Sequence, residues 1–361
     1  MDHGLRRGRL AERLDVLEVD ALVVTRLANV RYLSGFTGSN AQMVVAREAA
    51  VFLTDGRYEG QSSHEVPDLE RRIYLDERSG HLARALGDLG VHRAGFEREG
   101  LTYGEWQRLT EAVGDAELVP TGSVVEELRR VKDAEEVTWL DRAQETADVA
   151  FEQVVLGGGL REGMNERELA LDLELAMRAA GADDRGFETI VAFGERTAEP
   201  HHEPGEHALR RGDVVKLDFG ALAGGYHSDM TRTVAFGEPP PRLREIRDIV
   251  AAAQQAGIDA VRGGVALRDV DRAARNVVEE AGLGERFPHG LGHGVGLEIH
   301  EIPFLRWDSP EDDRLPAGAV VTIEPGVYVP GLGGVRIEDM VEVTPDGGRV
   351  LARSPRELLV L

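Results

Sequence analysis

No cysteine occurs anywhere in the chain. That absence excludes disulfides, thiolate zinc sites and a cysteine nucleophile, and leaves oxygen and imidazole as the only strong metal donors. Lysine is almost missing as well. It stands only at Lys132 and Lys216, with arginine supplying every other basic residue. On sequence alone that bias reads as genome composition rather than chemistry. No apolar run approaches the ~20 residues that a membrane helix needs. The arginines near the start, Arg6, Arg7 and Arg9, are not followed by the apolar core of a signal peptide. A cytoplasmic protein without a membrane partner is therefore expected. Two catalytic signatures are missing too: no Gly-x-Ser-x-Gly stands before a helix, and no glycine-rich loop ends in Lys-Ser or Lys-Thr.

What is present describes a soluble enzyme-sized chain. Its 361 residues exceed a typical single core, so two domains are expected. The formal charge of -23, from 42 basic and 65 acidic residues, opposes a nucleic-acid partner, because such a surface repels phosphate backbones. Residues 1–122 alternate helical and strand patterns: leucines at 5, 10, 14 and 17 have helical spacing, and Ala21-Leu22-Val23-Val24 reads as a buried strand. Residues 123–132 read as a linker with a short connecting helix. A second domain, 133–361, opens on a long helix near Asp133 that continues to about Leu156 and stops at Gly157-Gly158-Gly159. Asn165 with Glu168 predicts a capped second helix. Further helices fit 242–262 and 267–281. The order helix, helix, strands occurs twice and suggests an internal duplication.

Five ligand-type residues stand in order along this second domain: Asp218, Asp229, His293, Glu324 and Glu338. Asp218 lies on the strand 214–219, Asp229 opens the strand 230–234, and Gly220, Gly224 and Gly225 fall between them. Glu324 closes the strand 320–324, and Glu338 follows Gly331, Gly333 and Gly334 on the strand 335–338. Any one such acid is ordinarily a solvated surface group. Four at matching places are different, because like charges at ~4 Å repel by several kcal/mol inside a protein. Two divalent cations would cancel four carboxylates, with His293 as a neutral fifth donor. The oxygen-rich set favours manganese, cobalt or iron(II) over a structural zinc site.

The densest signal is His289-Gly290-Leu291-Gly292-His293-Gly294-Val295-Gly296, followed by His300-Glu301. Glycine at every second position lets a backbone come close to an ion or a peptide. Arg336 and Glu338 lie two apart, so on a strand they share a face. His201 and His202 precede the Asp218 strand in a polar loop, where histidines are commonly just exposed. His207 and His227 read as surface residues.

Together, Leu217-Asp218-Phe219-Gly220, the run from Tyr226 to Thr233, the His289 loop with His300-Glu301, Thr322-Ile323-Glu324-Pro325-Gly326 and the run from Gly334 to Asp339 resemble the Xaa-Pro peptidases. These are aminopeptidase P and prolidase, of the pita-bread superfamily that also holds methionine aminopeptidase and creatinase. Asn29 through Asn40 and Thr54 through Tyr58 extend the resemblance over nearly the whole chain. It implies an α/β (α+β) fold, with an N-terminal creatinase/prolidase-type α/β domain followed by a pita-bread catalytic domain. It further implies two divalent ions per chain, manganese first and cobalt, iron(II) or zinc as alternatives. Asp229 and Glu338 would bridge both ions, Asp218 would complete one, and His293 with Glu324 the other.

His201, after Pro200, His289, His300 and Arg336 match substrate-contacting or supporting positions, and the extra His202 leaves the His201 assignment open. Glu324 would shuttle the proton of a metal-activated water, and His300 would donate to the oxyanion. The implied substrate is a peptide with proline at its second position, cleaved by an aminopeptidase. A dipeptide-only prolidase with the same site is the alternative. A metal-free creatinase-like or peptide-binding relative is the remaining competitor, although such relatives lack several of the five ligands. A homodimer or larger homo-oligomer is implied as well.

Overall fold

Leu10 and Leu14, one helical turn apart, are fully buried and define the inward face of α1 (His3–Leu14), whose first turn Asp2 caps by accepting from Leu5 N. The helix stops short of Leu17 because Glu18 takes a left-handed backbone conformation, φ 53°. The computed structural model describes all residues, Met1–Leu361, and the chain divides into two units, Met1–Arg129 and Arg130–Leu361.

In the first unit β1 (Ala21–Val24), β2 (Ala41–Ala46), β3 (Ala50–Asp55), β4 (Glu70–Tyr74), β5 (Arg93–Glu97) and β6 (Glu117–Thr121) form one mixed sheet in the order β4-β3-β2-β1-β5-β6. The β1–β2 and β2–β3 pairs are antiparallel and the others parallel. The parallel pairs need helical connections, and the helices Arg78–Asp88 and Tyr103–Ala112 lend Leu82, Leu86 and Leu109 to the core on one face. Asn29, from the first motif of this unit, bridges its buried polar groups: Nδ2 donates to Glu97 Oε1 at 2.6 Å and Oδ1 accepts from Arg129 Nη1 at 2.6 Å. The segment 123–132 holds a helix over Val124–Arg129.

The second unit opens on the helix Ala134–Phe151; Asp133 and Glu136 cap it reciprocally, and a π-helical turn carries it to Leu156. The helix Glu166–Ala179 has the expected Asn165–Glu168 capping box. Both pack on the strands Ile190–Phe193, Asp213–Phe219 and Met230–Phe236 through one apolar cluster. A second cluster joins the helices Pro241–Ala260 and Leu267–Glu280 to the strands Val320–Ile323 and Asp339–Val343.

The two halves share a plan that the motif pattern only hinted at. In the first, Asp213–Phe219 pairs antiparallel with Met230–Phe236, and a small hairpin, Ala221–Ala223 with Tyr226–His227, is inserted between them. In the second, Val320–Ile323 pairs with Asp339–Val343, and the inserted hairpin is Gly326–Val329 with Gly333–Arg336. Glu324 thus sits just past its strand, and Glu338 lies in the link between Arg336 and Asp339 rather than on a strand with Arg336. Each half therefore offers one carboxylate as the chain leaves the long pair and one as it returns. No helix is long and apolar enough to cross a membrane.

Candidate metal centre and active site

One cavity of about 260 Å³ in the second unit is lined by all nine residues singled out from the sequence: His201, Asp218, Asp229, His289, His293, His300, Glu324, Arg336 and Glu338. Ligand-type atoms of Asp229, His293 and Glu338 lie within 4.8 Å of one another, and all three residues are buried. His293 donates from Nδ1 to the Gly294 carbonyl at 3.0 Å, since a carbonyl can only accept. Burial, helped by nearby His300, holds its pKa down to about 3, so the ring is neutral and Nε2 carries a lone pair. That lone pair faces Asp229 Oδ2 at 3.6 Å and Glu324 Oε1 at 3.5 Å. Acceptors facing acceptors in a buried site call for a cation or protons between them.

The carboxylates record the same conflict. Burial, then Asp218 and Glu324, raises Asp229 above the ordinary carboxylate range. Burial, then Asp229, Glu324 and Asp218, pushes Glu338 well up. Burial lifts Glu324 to about 7 against the pull of Arg336. The donor set thus fits divalent cations: oxygen-rich, one nitrogen, and too negative to remain buried and ionised alone.

Arg336 takes up part of that charge. It is 3% exposed, and its nitrogens are engaged on every side. Nη2 pairs with Asp218 Oδ2, Nε donates to Thr231 Oγ1 at 3.0 Å, and Nη1 donates to Tyr328 OH at 2.9 Å and to Pro200 O at 3.2 Å. Arg336 also lines the cavity. Burial alone would lower its pKa, but Tyr328, Asp218 and the other acids raise it well above the usual value.

His289 donates from Nδ1 to Gly290 O at 2.8 Å, and burial with nearby Arg336 lowers its pKa to about 4. Its Nε2 therefore accepts from the Tyr328 hydroxyl at 3.0 Å, and Tyr328 in turn accepts from Arg336. His300 is exposed and stands edge-on to His293, with ring centroids 4.4 Å apart. The two loop histidines separate cleanly. His202 is buried, with Nδ1 2.6 Å from Glu199 Oε2 and Nε2 2.9 Å from Glu166 Oε2, whereas exposed His201 lines the cavity.

The alternating glycines have a further use beside the one their pattern suggested. A Cβ at Gly292 would lie 1.9 Å from Thr322 O, and one at Gly294 2.5 Å from Ile302 O. They let the strand carrying His293 lie close against its two neighbours and so place the imidazole, while Gly290 and Gly292 also line the cavity. Sequence reasoning also missed Thr231, Thr322 and Tyr328. Thr231 and Thr322 stand inside quoted motifs, but only the fold reveals that Thr231 Oγ1 reaches Glu338 and that Thr322 Oγ1 accepts from His293 N at 3.0 Å. Asp271 and Arg275 were missed as well. Arg275 donates to His289 O at 2.7 Å, and Asp271 accepts from Leu291 N at 3.0 Å, so one helix holds both ends of the His289 turn.

Residues 138–345 match metallopeptidase family M24, and residues 6–131 match the creatinase/prolidase N-terminal domain. The chain is 34% identical to the Xaa-Pro dipeptidase of Pyrococcus horikoshii over 353 residues, 97% of each protein. Its structure matches that of an Xaa-Pro dipeptidase from Bacillus anthracis with a TM-score of 0.96, 40% identity and full coverage of both chains. It also matches an X-Pro aminopeptidase from Thermotoga maritima with a TM-score of 0.90 and 35% identity, over 98% of this chain and 99% of that one. The chain belongs to metallopeptidase family M24 and is a metal-dependent peptidase with the N-terminal α/β domain and the C-terminal pita-bread domain of that family.

Proposed function

We propose that the enzyme hydrolyses the peptide bond preceding proline, with an Xaa-Pro dipeptide as its favoured substrate and two divalent cations at the site. The observation that carries the metal part is the unprotonated His293 Nε2 aimed at the oxygens of Asp229 and Glu324. The proline part is supported by relatives named Xaa-Pro dipeptidase and X-Pro aminopeptidase. Relatives named Xaa-Pro dipeptidase support a dipeptide substrate, and the longer peptides of an aminopeptidase are the alternative reading.

In this reading Asp229 and Glu338 would be shared by both cations, Asp218 would help hold one, and His293 with Glu324 the other. When bound, the cations supply Lewis acidity, polarising the scissile carbonyl and making water a nucleophile near neutral pH. The Glu324 carboxylate would take the proton of the attacking water. Neutral His300, whose pKa is lowered by the partial burial of its ring and by nearby His201, would offer an N–H to the oxygen that gains charge. His201 stands on the same wall as a substrate contact. Phe187, Ile190, Ile299 and Phe304 give the proline ring an apolar surface. That suits a tertiary amide, which has no N–H to satisfy. Manganese as the resident ion and a homodimeric assembly belong to the same proposal, and metal analysis and sedimentation measure them.

The deciding experiment compares hydrolysis of a Gly-Pro dipeptide with that of an Xaa-Pro-Pro tripeptide, both with added manganese. Preference for the dipeptide is expected. Comparable efficiency on the tripeptide would restore the aminopeptidase reading, and cleavage of neither by metal-loaded protein would sink both.

A further inference from the structure

The two lysines of this arginine-rich chain are both buried, Lys216 at 0% and Lys132 at 6% exposure, so their rarity is not a matter of composition alone. Lys132 Nζ pairs with Glu301 Oε2 at 3.2 Å. Lys216 meets carbonyls instead. Its Nζ donates to Thr197 O at 3.3 Å, to Pro200 O at 3.3 Å and to Glu199 O. An ammonium has three donors, and here three carbonyls from a single turn receive them. A guanidinium is planar and forked, and cannot converge its donors on one point in this way.

We propose that Lys216 is a positioning residue for His201: it gathers the carbonyls of the turn Thr197–Pro200 and thereby sets where the His201 imidazole stands on the cavity wall. Lys216 and Asp218 lie two apart on one strand, so both side chains leave the same face, toward the cavity side. Arg336 Nη1 donates to the same Pro200 carbonyl at 3.2 Å. Two basic side chains share one acceptor, and that acceptor belongs to the residue immediately before His201. Burying a lysine without a carboxylate partner is costly, and the return on that cost is a fixed backbone rather than a neutralised charge.

The rest of the loop is fastened to match. Thr197 Oγ1 donates to Gly194 O at 2.6 Å and accepts from Gly334 N at 2.7 Å. On the far side, His202 is held between Glu199 and Glu166, and Glu166 also accepts from Gly205 N at 2.9 Å and from Phe193 N at 3.0 Å. His201 stands between these two fastened stretches, exposed, and takes its position from the backbone on either side.

The inference rests on the proposed Xaa-Pro reading for its kinetic readout, and a second readout does not depend on it. In metal-loaded enzyme, Lys216→Met is expected to lower kcat/KM for the Xaa-Pro dipeptide by about 30-fold, the scale of a catalytic group displaced by a fraction of an ångström to an ångström. In a His201→Ala background the same substitution should cost less than about twofold, because coupled residues are not additive. Equal losses in both backgrounds would overturn the proposal, since a purely structural lysine acts alike in each.

Hydrogen exchange tests the turn directly and needs no substrate. Amides of residues 197–202 should exchange at least about tenfold faster in Lys216→Met, with the helix Pro241–Ala260 unchanged. Unchanged exchange at 197–202 would also overturn the proposal, whatever bond the enzyme cleaves. Lys216→Gln, which keeps an N–H donor on a shorter arm, should recover part of both effects and carries the cycle if the methionine variant does not fold. Wild-type enzyme that leaves Xaa-Pro bonds intact while the exchange result holds would reject the substrate reading alone.

Discussion

The Thr231 hydroxyl donates to Glu338 Oε2 at 2.6 Å while it accepts from Arg336 Nε at 3.0 Å, so one small side chain orients a candidate ligand and fastens it to the buried guanidinium. Groups that orient metal ligands commonly account for about 10- to 100-fold in affinity. Thr231→Val keeps the size but removes the hydroxyl, freeing the Glu338 carboxylate to turn and leaving Arg336 Nε without its acceptor. Metal titration of the purified variant should read a loss in that range. Binding as tight as wild type would mean that Glu338 is oriented by the backbone alone.

Asp229→Asn tests whether the centre is dinuclear. Asn keeps the shape of Asp229 but lacks the charge and the second strong donor that a shared ligand needs. Metal analysis should show loss of at least one divalent ion per chain, and hydrolysis of the Xaa-Pro dipeptide should fall below detection. Turnover retained near the wild-type level would show that Asp229 has been misassigned. Wild-type protein with less than one tightly bound ion, and no gain on adding manganese, would favour the metal-free competitor.

Much of this site was legible in the sequence, for definite reasons. Asp218, Asp229, His293, Glu324 and Glu338 stood out because their residue types, glycine neighbours and order are unusual together, and helices such as Glu166–Ala179 announced their own caps. The partners were not legible. Arg336 meets Asp218 across 118 residues and Thr231 meets Glu338 across 107, and no local pattern encodes such a meeting. Spacing also misled where the chain leaves regular structure: Arg336 and Glu338 are two apart, yet the strand ends at Arg336. Lys216 was invisible for a third reason. Its scarcity looked compositional, and only burial against three carbonyls gives it a use.

The clasp on the His289 turn makes a stability prediction. Asp271 is fully buried and pairs with Arg275, whose guanidinium lies 4.2 Å from the Phe287 ring and 4.5 Å from the Trp307 ring. Removing one partner of a buried pair leaves an uncompensated charge, at a cost of roughly 3–5 kcal/mol. Asp271→Ala should lower the urea midpoint accordingly and disturb the fluorescence of Trp307. Asp269→Ala, on the exposed side of the same helix, should leave the midpoint where it is. Equal midpoints for the two variants would show that the clasp adds nothing to stability.

Metal uptake should depend on pH, and its direction follows from the carboxylates. Asp229, Glu324 and Glu338 all have raised pKa values in the metal-free protein, Glu324 to about 7. Glu324 is therefore partly protonated near neutral pH, and protons held by these raised carboxylates compete with a cation more strongly as pH falls. His293 does not blur the sign, because its lowered pKa of about 3 keeps it neutral across the range. Apparent affinity for manganese should thus rise from about pH 6 to about pH 8, by roughly tenfold per pH unit for each proton displaced. Calorimetry in two buffers of different ionisation enthalpy would count the protons released. Carboxylates at their ordinary values would already be ionised throughout, so a flat affinity with no proton release would show that the acids do not carry the mutual repulsion assigned to them here.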